Sequence, residues 1–164
     1  MNRIDLAVDA QLFQRRLEAA NRHPGLRKHI PMIRRLGVDG MSSDESDSED
    51  ALNVTSGSNL TREYTILQPV WRAQGLSDWL HVFDSIHILE RRMRTLSSSV
   101  RGACPRLRKY KEGSKSKQSK CVRQLPHNAY DVHWLASRPV DNVEFEVQPD
   151  TEGYEFSHDN SLFS

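Results

Sequence analysis

A chain of 164 residues has room for one domain with tails. Its hydrophobic fraction of 37% and mean hydropathy of −0.68 support a core over only part of that length. The formal net charge of +1 excludes a uniformly basic or acidic protein, yet it conceals charges sorted into blocks. No stretch approaches the roughly 20 apolar residues of a membrane span. Met1–Asp5 are followed by no apolar run, so no secretory signal is expected. Cys104 and Cys121 then read as free thiols of a reducing compartment, cytosol or nucleus.

Residues 9–22 read as a first helix, capped by Asp9, with Leu12, Phe13, Arg16 and Leu17 at helical spacing. His23-Pro24-Gly25 stops it. Leu26, Ile30, Ile33 and Leu36 suggest a shorter helix, interrupted by Pro31 and ended by Gly37 and Gly40. Residues 41–60 are an acidic, Ser-rich linker by composition. Tyr64–Leu67 read as a short strand, which Pro69 closes or places at an edge.

The strongest signal lies over residues 76–96. Leu76, Trp79, Leu80, Phe83, Ile86, Leu89, Met93 and Leu96 follow the 3.6-residue period of an amphipathic helix. Ser77 is the candidate N-cap, and Arg91, Arg92 and Arg94 suit the negative end of the dipole. Residues 97–124 read as an irregular basic loop. Asp131 can cap a short helix carrying Val132, Trp134 and Leu135, which Pro139 ends. Val143–Val147 alternates as a half-buried strand does, and Tyr154–Phe156 reads as the second arm of a hairpin.

The expected fold is mainly α with minor β, a small α+β arrangement around one central amphipathic helix. Its parts are a helical N-terminal segment (1–40), the acidic linker (41–60), a small core (61–138) and an acidic tail (139–164). The core holds the helix at 77–96 and the basic loop at 97–124. Trp71, Trp79 and Trp134 should make that core with Tyr64, Phe83, Leu89, Tyr130 and Leu135.

The acidic run Met41–Asp50 places Glu45 three residues after Ser42 and Glu49 three after Ser46. This spacing suits kinases that read acidic residues, and makes Ser42 and Ser46 candidate phosphorylation sites. Between Arg91 and Arg123 twelve Lys and Arg residues face Glu112 alone, a net +11. That density attracts polyanions through counterion release, with Arg106, Arg108, Lys109, Lys111, Lys115 and Lys117 as candidate contacts. Tyr110 is the one ring available for stacking there, so base recognition is not indicated. Arg91–Arg94 and Arg106–Lys111, eleven residues apart, also resemble a bipartite nuclear import signal. The tail from Asp141 to Asp159 carries seven acidic residues and no Lys or Arg, and could fold over the basic block.

Catalytic and metal readings are weak. Cys104, Cys121, His127 and His133 lack the close Cys pair with which zinc sites usually begin. Asp78, His81 and Ser85 share a helix face, but one exposed face builds no nucleophile pocket. The glycosylation patterns at Asn53 and Asn59 have no meaning without secretion. Neither a phosphate loop nor an HExxH motif occurs. No enzyme activity, cofactor or metal is expected.

Five segments carry a family resemblance: His23–Asp50, Tyr64–Asp84, Arg101–Tyr110 (RGACPRLRKY), Leu125–Arg138 (LPHNAYDVHWLASR) and Tyr154–Asp159 (YEFSHD). They resemble a multi-copy family of short proteins from mushroom-forming (basidiomycete) fungi. The resemblance implies no activity, cofactor or site residue; its copy number implies a link to mobile elements. The reading is therefore a non-catalytic interaction protein, nuclear or cytoplasmic, with a protein partner. Its alternative is a nucleic-acid-binding accessory that uses residues 91–123.

Overall fold

The structure is a computed structural model that describes residues 3–41, 44–47, 63–96, 107–116, 120–141, 143, 147–148 and 152–158. It is mainly helical with minor β structure. Helix α1 spans Arg3–Arg22, six residues earlier than the expected start. No Gly or Pro interrupts residues 3–8, so the helix runs through them. Asp9 is therefore not a cap; it sits inside the helix with its side chain buried. Leu12, Ala19 and Ala20 line the buried face.

The expected second helix divides in two. Pro24–His29 is a 3₁₀ turn, and α2 runs from Ile30 to Leu36. Pro31 does not break α2 but falls in its first turn, where a missing N–H costs no intrahelical bond. Leu26, Ile33 and Leu36 are fully buried. Gly37 ends α2 with φ +60°, a conformation glycine adopts without a Cβ penalty. At Gly40 a Cβ would lie 2.8 Å from the Leu36 Cβ, so this corner admits no larger side chain without movement.

Helix α3 spans Gln74–Leu96. It begins before Ser77, which is not its cap: the Ser77 N–H donates to Ala73 O at 3.2 Å, and its side chain is fully buried. Leu76, Trp79, Leu80 and Phe83 form the centre of the core. The stripe then outruns its partners. Arg22 and His23, at the end of α1, pair with Glu90 at 2.6 and 2.9 Å. Leu89 and Met93 are 62% and 63% exposed, so Leu89 is not a core residue as expected. Periodicity reports a helix face; whether anything covers it depends on the length of α1.

Among the described residues, three strands form one sheet in the order β1 (Asp44–Asp47), β2 (Glu63–Pro69), β3 (Leu107–Ser116). β1 pairs antiparallel to β2, with Ser46 opposite Thr65; β2 and β3 are parallel, with Lys109 opposite Thr65. Two expectations are thus corrected. Part of the acidic linker and part of the irregular basic segment are edge strands of one sheet. Neither has the alternation of a half-buried strand, because an edge strand needs a main-chain partner more than an apolar face. Charge, and lysine above all, is the ordinary dress of such edges.

The rest of the chain closes the core. Tyr130 is buried; its hydroxyl donates to Val122 O at 2.8 Å and accepts from the Leu125 N–H at 3.1 Å. Asp131 caps α4 (Val132–Ala136), accepting from the N–H groups of His133 and Trp134 at 3.0 Å, as expected from sequence. The expected C-terminal hairpin is absent from the described residues. Val147 N–H bonds to Val143 O, a helical spacing; residues 144–146 lie outside the described residues. Glu152–His158 is instead an extended strap. Asn128 holds the Tyr154 backbone from both sides, accepting from its N–H at 3.0 Å and donating to its carbonyl at 2.7 Å. Tyr154, Phe156 and His158 alternate onto Trp79 of α3, so period-two patterning here means a helix surface below, not a second strand. The N-terminal helices, α3 and this C-terminal region share one core.

Candidate polyanion-binding site

The structure divides the basic residues by where their charge is satisfied. Arg16 is buried and makes a bidentate pair with Asp84, Nε to Oδ1 at 2.8 Å and Nη2 to Oδ2 at 2.7 Å. Its Nη1 donates to Met41 Sδ. Arg72 is also buried and donates to Gly40 O. Burial, then the neighbouring Arg16 charge, holds the Arg72 guanidinium down to about 9, against Asp84 and Asp9, which favour its charged form. These arginines tie α1, α3 and the turn after α2 together.

His81 borders this cluster, and burial first of all holds its imidazole down to about 4, so it is neutral near pH 7. Asp78 accepts from Gln74 Nε2 at 2.7 Å, and Ser85 is exposed. The three side chains named from spacing thus sit in different surroundings. Cys104 lies outside the described residues, the half-buried Cys121 thiol donates to Val122 O at 3.3 Å, and His127 and His133 are exposed.

The polyanion contacts named from sequence are partly placed. Arg108, Lys109, Lys111 and Lys115 lie on β3; Arg106 and Lys117 are outside the described residues. Lys115 pairs with the capping carboxylate of Asp131 at 3.1 Å, which fastens the end of β3 to the start of α4. Burial raises the Asp131 pKa, but the Trp134 N–H and Lys115 outweigh that and hold it below its ordinary value. Of the candidate phosphorylation sites, Ser46 is on β1 and Ser42 is outside the described residues.

A second basic assembly was not visible as a block. Arg35 at the end of α2, Lys120 and Arg123 in the connection before Leu125, and Arg138 after α4 line one cleft of about 720 Å³. Leu36, Gly37, Val38, Cys121 and Val122 also line it, with Asp39 as the one carboxylate among the described residues. A column of stacked side chains positions one of these cations, Arg138. Trp134 stacks on Tyr130 with centroids 5.9 Å apart, and the Arg138 guanidinium lies 4.4 Å from the Trp134 centroid. Stacking orients a guanidinium plane while leaving its charge in place. The Tyr130 hydroxyl anchors Val122, and the connection bends at Gln124 with φ +60°, so Lys120–Arg123 is shaped by the core beneath it. Lys120 and Asp39 approach to 3.8 Å, both largely in solvent, which is a weak pairing. Arg35 and Arg138 fell outside the dense basic block. Their signals were Arg35 two residues before a helix-ending glycine, and Arg138 four residues after Trp134.

No protein-family model matches the chain, and no curated protein or solved structure is significantly similar to it. Among the described residues no group of three or more His, Cys, Asp or Glu could hold a metal ion, and no helix is long and apolar enough to cross a membrane.

Proposed function

We propose that this chain is a non-catalytic interaction protein whose partner is a nucleic acid, held by its phosphates. One observation carries the reading. Cations from three separate parts of the chain, Arg35, Lys120 with Arg123, and Arg138, converge on one cleft whose lining, among the described residues, holds a single carboxylate. Converging cations of this kind suit an anion better than the solvated face a charge run usually makes. β3 adds Arg108, Lys109, Lys111 and Lys115 as a second cationic element. The rings beside the cleft are stacked on one another or under Arg138, which favours phosphate contact over base reading. A nuclear setting goes with this reading through the spacing of Arg91–Arg94 and Arg106–Lys111. So does the link to mobile elements implied by the family resemblance.

Salt titration tests it. A labelled oligonucleotide followed by fluorescence anisotropy should lose affinity linearly in log salt, with a slope of about −0.7 per phosphate neutralised on a single strand. Replacing Lys109, Lys111, Lys115 and Lys117 by Ala should flatten that slope. Absence of binding at low salt, or binding indifferent to salt, would refute the reading. Capture of an acidic protein in place of nucleic acid would refute it too.

A further inference from the structure

We infer that the cleft between α2 and the Lys120–Arg123 connection is a pocket for a terminal phosphate monoester, the phosphorylated end of a nucleic acid strand. The inference rests on the nucleic-acid reading and narrows it. Its first support is charge density. Among the described residues, four cationic side chains and one carboxylate, Asp39, line this cavity. An internal phosphodiester brings one negative charge to any one place. A monoester brings about −1.5 to −2 at pH 7, with three acceptor oxygens. The end of a strand therefore matches this concentration of charge better than its middle does.

The second support is the make-up of the wall. The half-buried Val38 and Val122 add apolar surface to the cationic lining. A bare inorganic anion has no use for such a surface, whereas the sugar and base that follow a terminal phosphate do. The third support is preparation. Trp134 orients the Arg138 guanidinium at 4.4 Å, so part of the ordering cost of gripping a phosphate is met before binding. Asp39 holds Lys120 only loosely, at 3.8 Å, and a dianion can take that cation over without breaking a strong pair.

The test uses the whole chain and short oligothymidylates of one length bearing a 5′-phosphate, a 3′-phosphate or hydroxyls at both ends. One phosphorylated end should bind at least about tenfold tighter than the hydroxyl-ended strand. Arg35 and Arg123 are exposed, so R35A/R123A should fold normally by circular dichroism. That variant should abolish the preference for the phosphate end while retaining salt-dependent binding of the hydroxyl-ended strand. Equal, salt-sensitive binding of all three strands would overturn the pocket and leave the nucleic-acid reading standing. No binding of any strand would overturn both. A preference that survives R35A/R123A would also overturn the assignment, since the phosphate would then be held elsewhere.

Discussion

Removal of the Asp84 carboxylate is the sharpest test of how the helices are joined. Asp84→Ala leaves the Arg16 guanidinium, whose side chain is 3% exposed, without its bidentate partner. It also removes one of the two carboxylates favouring the charged form of the buried Arg72 guanidinium. Two cations then share a dry site in which Asp9 is the remaining carboxylate known to act on Arg72. Breaking one side of a buried ion pair costs about 3–5 kcal/mol. A domain of this size has about 5–15 kcal/mol in all, so the variant should sit near its unfolding threshold. Urea unfolding followed by tryptophan fluorescence measures the loss, since Trp71 and Trp79 are both buried. Arg16→Met combined with Asp84→Leu removes both charges and returns apolar volume. It leaves Arg72 with Asp9, and should be clearly more stable than Asp84→Ala alone. A loss below about 1 kcal/mol for Asp84→Ala would place the pair among solvent-screened surface bridges and refute the reasoning. A double variant no better than the single one would show that an uncompensated charge is not the cause.

Three further tests address the core, the histidines and the cap. Phe83 is fully buried against Trp79, His29 and His158, so Phe83→Asp should abolish cooperative unfolding; a retained sharp melt would show that α3 is not the centre of the core. His29 and His81 are each held down to about 4, mainly by burial, and burial also lowers the His158 imidazole. The unfolded chain then takes up more protons between pH 6.5 and 4, so stability is complete above 6.5 and falls with acidification through that window. Thermal melts at stepped pH should show the fall beginning below 6.5; a constant or rising Tm from pH 7 to 5 would contradict it. Asp131→Ala should cost about 1–2 kcal/mol as a lost cap. Asp131→Asn keeps a capping oxygen and should lose only the Lys115 pair, about 0.2–1 kcal/mol, so equal losses in the two variants would argue against the cap.

The helices were legible in the sequence because their evidence is local. The Leu76–Phe83 spacing, the Asp131 cap and the glycine after Leu36 each act within a turn or two of chain. Helix starts were less legible. Asp9 and Ser77 are residue types that favour caps, but each is buried inside its helix, and burial cannot be read from residue type. The two edge strands were illegible for another reason. Asp44–Asp47 and Leu107–Ser116 are strands because β2 lies between them, and main-chain pairing leaves no signature in charged side chains. The alternation in the tail was real but ambiguous. A period of two shows that alternate side chains face one surface, and the strap from Tyr154 to His158 uses it on Trp79.

The candidate site shows the same division most clearly. A run of like charge in sequence marks only where cations are dense, and density along a strand spreads them out at about 3.3 Å per residue. Concentration at a point needs cations from different segments, turned toward one place by the core. Tyr130 does this for Arg138 through the Trp134 stack, and for Lys120 and Arg123 through its hydroxyl bond to Val122. One buried tyrosine thus positions three of the four cations in the cleft. Tyr130→Phe retains the ring and its stacking but loses both hydroxyl bonds. It should leave the Trp134–Arg138 arm in place while freeing the Lys120–Arg123 connection. If the cleft is the phosphate-end pocket, Tyr130→Phe should weaken the preference for phosphorylated ends, with salt-dependent binding to β3 unchanged. An unaltered preference would mean that the connection holds its shape without the tyrosine, and that the core does not gather these charges in the way described.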